Sequence, residues 1–182
     1  MAGPQPAAIC AAVRDAESGV DALLGRIADQ ARAAGLRLAG TAQRDEPRPG
    51  RRRSDMILED LGGGRRFLIS EDRGDLSEDC RLDILGLTEA AALVERSIRE
   101  TAPDLVILNK FGKGEAEEGA GLRNAMAAAI DAGVPVLTSV SNDYVEALRQ
   151  FAGDLCVFAA DEAEALTWLR ARLGERMETM AG

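Results

Sequence analysis

The chain has 182 residues, 46% of them hydrophobic and 29% charged, which suits one globular domain rather than a disordered, collagen-like or membrane chain. A net charge of -9 denies it the basic footprint that general nucleic-acid binding needs. The absence of histidine removes the usual general base, the commonest metal ligand and any Ser-His-Asp or Cys-His mechanism within one chain.

In chain order, Ala7 to Val13 (AAICAAV) fits a buried strand. Val20, Leu23, Leu24, Ile27, Ala28 and Ala31 recur at helical spacing, so the spacing predicts an amphipathic helix over 19–34, closed by Gly35. Leu36 to Thr41 reads as a second strand, which makes a βαβ-type opening. Arg44 to Ser54 (RDEPRPGRRRS) holds two prolines, a glycine and five arginines, and is expected to be a mobile loop. Two short strands around Gly62-Gly63-Gly64 carry a hairpin signature. Glu71 to Arg81 is polar and expected to be an exposed loop. A helix is expected over 86–101, then a fully buried strand, Leu105 to Leu108 (LVIL), central in a parallel sheet. Another helix should stop at Gly133, followed by a strand, Pro135 to Val140. Ser141, Asn142 and Asp143 offer N-caps for a short helix through Phe151. A last strand, Leu155 to Phe158, leads to a helix capped by Asp161 and running to about Arg176.

This pattern predicts a single three-layer α/β/α domain over 1–182, with a mainly parallel sheet and a small antiparallel β excursion. Residues 1–6 and 177–182 are expected to fray. No apolar run approaches the roughly 20 residues of a membrane helix, and the N-terminus lacks the pattern of a secretory signal. A cytoplasmic protein with no membrane and no nucleic-acid partner is therefore expected. Cys10, Cys80 and Cys156 form no CxxC pair, so no structural zinc or other metal site is expected. Cys10 and Cys156 sit in apolar runs and are expected in the core; Cys80 lies in a polar stretch. Of 22 basic residues only Lys110 and Lys113 are lysine, and both lie between Asn109 and Glu115.

In open parallel sheets ligands gather beyond the carboxyl ends of the strands. Three segments should meet there: Arg14 to Gly19, Asn109 to Arg123, and Ser141 to Asp143. A nucleotide-hydrolysing fold would carry G-x-x-x-x-G-K-[ST] in the first, where this chain has one glycine, no lysine and two acids. It would carry a magnesium-organising Asp after the four apolar residues of the second, where this chain has Asn109.

The combination of Gly40-Thr41-Ala42-Gln43, Cys80-Arg81-Leu82-Asp83, Asn109-Lys110-Phe111-Gly112-Lys113-Gly114-Glu115, Gly121-Leu122-Arg123 and Gly133-Val134-Pro135-Val136-Leu137-Thr138 resembles the bacterial family known as domain of unknown function 2478. The resemblance covers nearly the whole chain. It implies a layout like that of small P-loop nucleoside triphosphatases without their phosphate loop (a degenerate Walker A), and a link to molybdenum metabolism. The family's Glu-Ala-x-Gly-x-Gly is extended here to Glu115-Ala116-Glu117-Glu118-Gly119-Ala120-Gly121.

Asn109 to Arg123 is the leading site candidate. Lys110, Lys113 and Arg123 bring cations, its glycines let the backbone approach a ligand, and a helix start near Gly121 would present N–H groups to an anion. Glu115 and Asn109 complete the candidate set, with Glu115, Glu117 and Glu118 as partners for the lysines. For Cys80-Arg81-Leu82-Asp83 three readings stand: a packed loop with Arg81 paired to Asp83 or Asp79, an oxyanion contact through Arg81, or Cys80 as a reactive thiol. The expected function is a non-hydrolysing ligand-binding or regulatory module for a nucleotide or a molybdate-type oxyanion. The alternatives are a nucleoside triphosphatase or phosphotransferase with an atypical phosphate loop, and an adaptor acting as a homo-oligomer. No catalytic residue and no cofactor is identified.

Overall fold

A computed structural model describes residues 7–14, 20–50, 54–70, 83–119 and 121–174. The chain opens with strand β1 (Ile9–Arg14), whose first four residues are buried, and helix α1 (Val20–Ala33). Strand β2 (Leu38–Glu46) follows, then the hairpin of β3 (Asp55–Asp60) and β4 (Arg66–Leu68). Helix α2 (Ile84–Thr101) leads to β5 (Leu105–Phe111). A π-helical turn (Gly114–Glu118) and helix α3 (Arg123–Asp131) precede β6 (Val136–Ser141). Helix α4 (Val145–Ala152), strand β7 (Cys156–Ala159) and helix α5 (Glu162–Leu173) complete the order.

Among the described residues, seven strands form one sheet in the order β4-β3-β2-β5-β6-β1-β7. The pairs β2–β5, β5–β6, β6–β1 and β1–β7 are parallel; β2–β3 and β3–β4 are antiparallel. The expected α/β layout, P-loop NTPase-like with an antiparallel excursion, is what the chain adopts. The central place of Leu105–Leu108 holds as well: all four side chains are fully buried. Burying one such side chain stabilises by roughly 1.5–3 kcal/mol.

Alternation divides the sheet's side chains between two cores. Ile9, Ala11, Val106, Leu108, Val136 and Val140 pack in the cluster that also holds residues of α2, α3 and α4. Cys10, Leu105, Ile107 and Leu137 pack with residues of α1 and α5. A residue's parity within its strand therefore tells which helices cover it. Gly40 makes the β2–β5 seam possible. Its φ is +113° and an added Cβ would sit 1.8 Å from the Ile107 carbonyl oxygen.

Several expected boundaries shift. Arg44 belongs to β2 and not to the loop expected over 44–54: Arg44, Asp45 and Glu46 pair with Ile57, Met56 and Asp55, and Arg44 Nε donates to Glu59 at 2.6 Å. The strand expected to end at Leu108 runs to Phe111, with a register shift against β6 between those two residues. None of Ser141, Asn142 and Asp143 caps a helix through its side chain; α4 is reached through a 3-10 turn, Asn142–Tyr144. Asp161 does cap α5, accepting from the Glu164 N–H at 2.9 Å. Cys10 is fully buried, whereas Cys156 is only partly so. Cys80, Arg81, the 71–81 loop and the terminal residues expected to fray lie outside the described residues.

Candidate functional site

The parallel register brings the carboxyl ends of β5, β6 and β1 side by side. Leu108 pairs with Thr138, Ala12 with Ser139, and Arg14 with Ser141. By parity Ser139 follows Leu137 and Arg14 follows Cys10 on the α1 face; Asn109 stands just beyond Leu108, where β5 shifts register against β6. The first turn of α1, with Asp21, covers that face at the same end of the sheet.

These residues carry buried polar atoms without partners. Asn109 is 3% exposed, and neither its Nδ2 nor its Oδ1 is hydrogen-bonded. Ser139 Oγ, Arg14 Nε and Asp21 Oδ1 are also buried and unpartnered. Most buried polar atoms are paired, and leaving one unpaired costs about 1–3 kcal/mol. Four residues with orphaned atoms lie at this one edge, which makes it the candidate site. Thr41 Oγ1 is a further orphan, but Thr41 shares the parity of Ala39 and belongs to the opposite face.

Lys110 follows Asn109 and is half-buried. Burial holds its amine below the ordinary 10.5, and the Arg14 guanidinium pushes the same way. Asp21, Asp45 and Glu115 act in the opposite sense. Lys110 is therefore not a freely solvated lysine; its ammonium sits in the electrostatic reach of β1, the α1 start and the end of β2. Beside it, a groove of about 590 Å³ is lined by Asp21, Gly25, Gln43, Asp45 and neighbouring residues of α1 and β2. A cleft of about 510 Å³ at the opposite end of the sheet holds Arg32, Arg37 and Arg96. There Arg32 donates to the Leu61 carbonyl and Arg37 pairs with Asp104, so two of its cations already serve the fold.

The rest of the candidate loop is a brace. Glu115 is 5% exposed, and its carboxylate accepts from the Gly112 N–H and the Leu122 N–H, each at 3.0 Å. It thereby closes the loop and takes up an N–H expected to face a ligand. Gly121, at φ +66°, lies so close that an added Cβ would stand 2.2 Å from Glu115 Oε1. Arg123 stacks its guanidinium 4.4 Å from the Phe151 ring centre and donates to the Glu115 carbonyl at 3.3 Å. Lys113 is exposed and pairs with Glu117 at 3.9 Å.

Of the expected site residues, the structure brings Asn109 and Lys110 to the strand edge and gives Glu115 and Arg123 structural contacts beside it. Lys113 stands on the surface. Asp21 and Ser139 were not singled out by the sequence; Arg14 was placed at this edge with the segment Arg14 to Gly19 but not counted among the site residues. For Arg14 the available signal was its place directly after a buried strand. Asp83 caps α2 by accepting from the Leu85 and Gly86 N–H groups at 2.9 and 3.2 Å; the pairing with Arg81 read from the sequence lies outside the described residues. Burial pushes the Cys10 thiol up to about 12, and Cys156 likewise to about 12, which makes both poor nucleophiles. Among the described residues no group of three or more His, Cys, Asp or Glu could hold a metal ion, and no helix is long and apolar enough to cross a membrane.

Residues 9–168 match the model of a family described as "Protein of unknown function (DUF2478)". Over 150 residues, 82% of the chain, the sequence is 35% identical to a molybdenum import ATP-binding protein, ModC 2, of Bradyrhizobium diazoefficiens. The chain spans only 16% of that relative's length. No solved structure matches.

Proposed function

Because the chain belongs to the DUF2478 family, we propose that it is a non-hydrolysing module that binds an anionic ligand, a nucleotide or a molybdate-type oxyanion, at the carboxyl edge of β1, β5 and β6. The observation that carries this reading is the cluster of orphaned buried atoms on Arg14, Asp21, Asn109 and Ser139 beside the half-buried Lys110. In this role Lys110 and Arg14 supply positive charge, and the Asn109 amide and Ser139 hydroxyl supply directed hydrogen bonds. The adjoining groove has room for the remainder of a larger ligand. Arg81 is a further candidate contact, and Cys80 a candidate reactive thiol. The relative's name joins ATP binding to molybdenum import, which favours the same two ligand classes.

Hydrolysis has little support. A magnesium-organising carboxylate is expected directly after the four apolar residues of β5, and that place holds the Asn109 amide. An amide binds magnesium poorly and cannot take up a proton from an attacking water.

Calorimetric titration of the full chain with ATP, ADP and molybdate, for wild type and Lys110→Ala, tests the reading. One of these ligands should bind, and the variant should bind it about 10- to 100-fold more weakly, as the loss of one charge-assisted hydrogen bond implies. No binding of any ligand refutes the proposal. Magnesium-dependent turnover of order 1 s⁻¹, abolished in Lys110→Ala, replaces it with an enzyme.

A further inference from the structure

We infer that the anion taken at this edge carries a proton: the site selects a monoprotonated phosphoryl group over a fully deprotonated oxyanion such as sulfate or molybdate. The inference rests on the proposed anion site and narrows its ligand.

The orphaned atoms are not all donors. Arg14 Nε–H and the Asn109 amide hydrogens can only donate, and Ser139 Oγ can do either. Asp21 Oδ1 and Asn109 Oδ1 accept. Turning the Asn109 amide over does not alter this, because both of its ends are unpartnered and each orientation presents one donor group and one acceptor. A site built for a bare oxyanion would be lined with donors alone. Here two acceptor oxygens stand among the orphaned atoms of this edge, and an anion with no hydrogen would leave them unpaired and repelled. An anion with one O–H gives a hydrogen bond to an acceptor while its other oxygens take the donors.

The charges around the site agree. Lys110 is surrounded by Arg14 on one side of the balance and by Asp21, Asp45 and Glu115 on the other. Glu115 is engaged by two backbone N–H groups, which leaves two cations and two carboxylates. That set does not favour a dense, fully ionised anion. A phosphoryl group ionises for the second time at about pH 6, so it keeps one proton near neutrality at small cost. Sulfate and molybdate have none to keep there. The phosphoryl group could be free phosphate or the monoester of a nucleotide.

Calorimetric titration of the full chain at pH 7 and fixed ionic strength, with inorganic phosphate, AMP, sulfate and molybdate, separates these cases. Phosphate or AMP should bind at least about tenfold more tightly than sulfate and molybdate, a difference of 1.4 kcal/mol. AMP tighter than phosphate identifies a nucleotide as the source; phosphate as tight as AMP identifies the free ion. Asp21→Asn, which replaces the acceptor with an amide able to donate, should narrow the ratio of phosphate to sulfate. Asn109→Leu, of similar size and without either orphan, should narrow it too and serves if the first variant does not fold. Sulfate or molybdate binding as tightly as phosphate overturns the inference and leaves the anion site standing. A ratio unmoved in both variants also overturns it. Binding of none of the four anions, together with failure of the ATP, ADP and molybdate titration, refutes the site itself.

Discussion

Replacing Glu115 with alanine should destabilise the fold without removing a ligand contact. The carboxylate is buried and accepts from two backbone N–H groups, Gly112 and Leu122, at 3.0 Å each. A hydrogen bond to a charged group is worth about 1.5–3 kcal/mol, and here two are lost at once. Water entering the vacated space recovers part of this for Gly112, which is only partly buried, and less for Leu122, which is 1% exposed. The expected loss is therefore about 3–4 kcal/mol. For a chain of this length each kcal/mol shifts Tm by about 2–4 °C, so Glu115→Ala should melt about 6–16 °C lower. Glu115→Gln keeps one acceptor and turns an amide donor toward the other N–H, so it should lose about half as much. Urea unfolding measures both, with the slope checked for two-state behaviour. A Glu115→Ala protein within 1 kcal/mol of wild type would show that the clasp is not formed in solution, and the structural role assigned to Glu115 would fail.

Lys110→Met should raise stability at pH 7. Burial lowers the amine's pKa in the folded chain, so between that lowered value and 10.5 the unfolded chain binds more protons and stability rises with pH. The penalty is full below the folded value and relieved as pH approaches 10.5, so the stability gain of Lys110→Met should shrink over that window; a gain that grows with pH refutes the assignment. Gly40→Ala should cost more than 3 kcal/mol or prevent folding, since its Cβ would meet backbone that cannot move aside; soluble protein with an unchanged melt counts against the β2–β5 register. Gly25→Ala, mid-helix in α1 with nothing within 4 Å of the new Cβ, should gain about 0.5–1 kcal/mol by the ordinary helix preference for alanine. A loss there, read by urea unfolding, would mean the helix surface is covered.

What was legible in the sequence was local. LVIL read as a strand covered on both faces, and Gly62-Gly63-Gly64 between short apolar runs read as a turn; both stand in the fold. Asp161 could be read as a cap because a cap acts over three residues. The site was legible only in part, because its members are joined by register. Arg14, Asn109 and Ser139 are far apart in the chain, and it is the pairing of β6 with β1 and β5 that sets them at one edge. Glu115 was read as a charge opposing the lysines because its partners are backbone N–H groups, which have no sequence signature. The extension of β5 beyond Leu108 was hidden for a related reason: Asn109 and Lys110 look like loop residues, and the strand resumes its pairing only at Phe111, opposite Val140.

The chemistry at this edge differs in kind from that of a phosphate loop. A loop of that type holds its ligand with a lysine, a ring of backbone N–H groups and a helix start, all of one sign. Here Lys110 and Arg14 are countered by Asp21 and Asp45, and the whole chain carries a net charge of -9. Long-range attraction for an anion is therefore absent, and affinity must come from short-range hydrogen bonds to the orphaned atoms. Such a site discriminates by donor and acceptor pattern more than by charge. It should bind weakly and depend little on salt, because few ion pairs are screened. A ligand that fits would also relieve the cost of burying unpaired groups, so occupancy and stability are coupled, and bound ligand should raise Tm by mass action. On the proposed reading the module responds to whether its ligand is present, which is a reason for a P-loop NTPase-like layout to serve without hydrolysis.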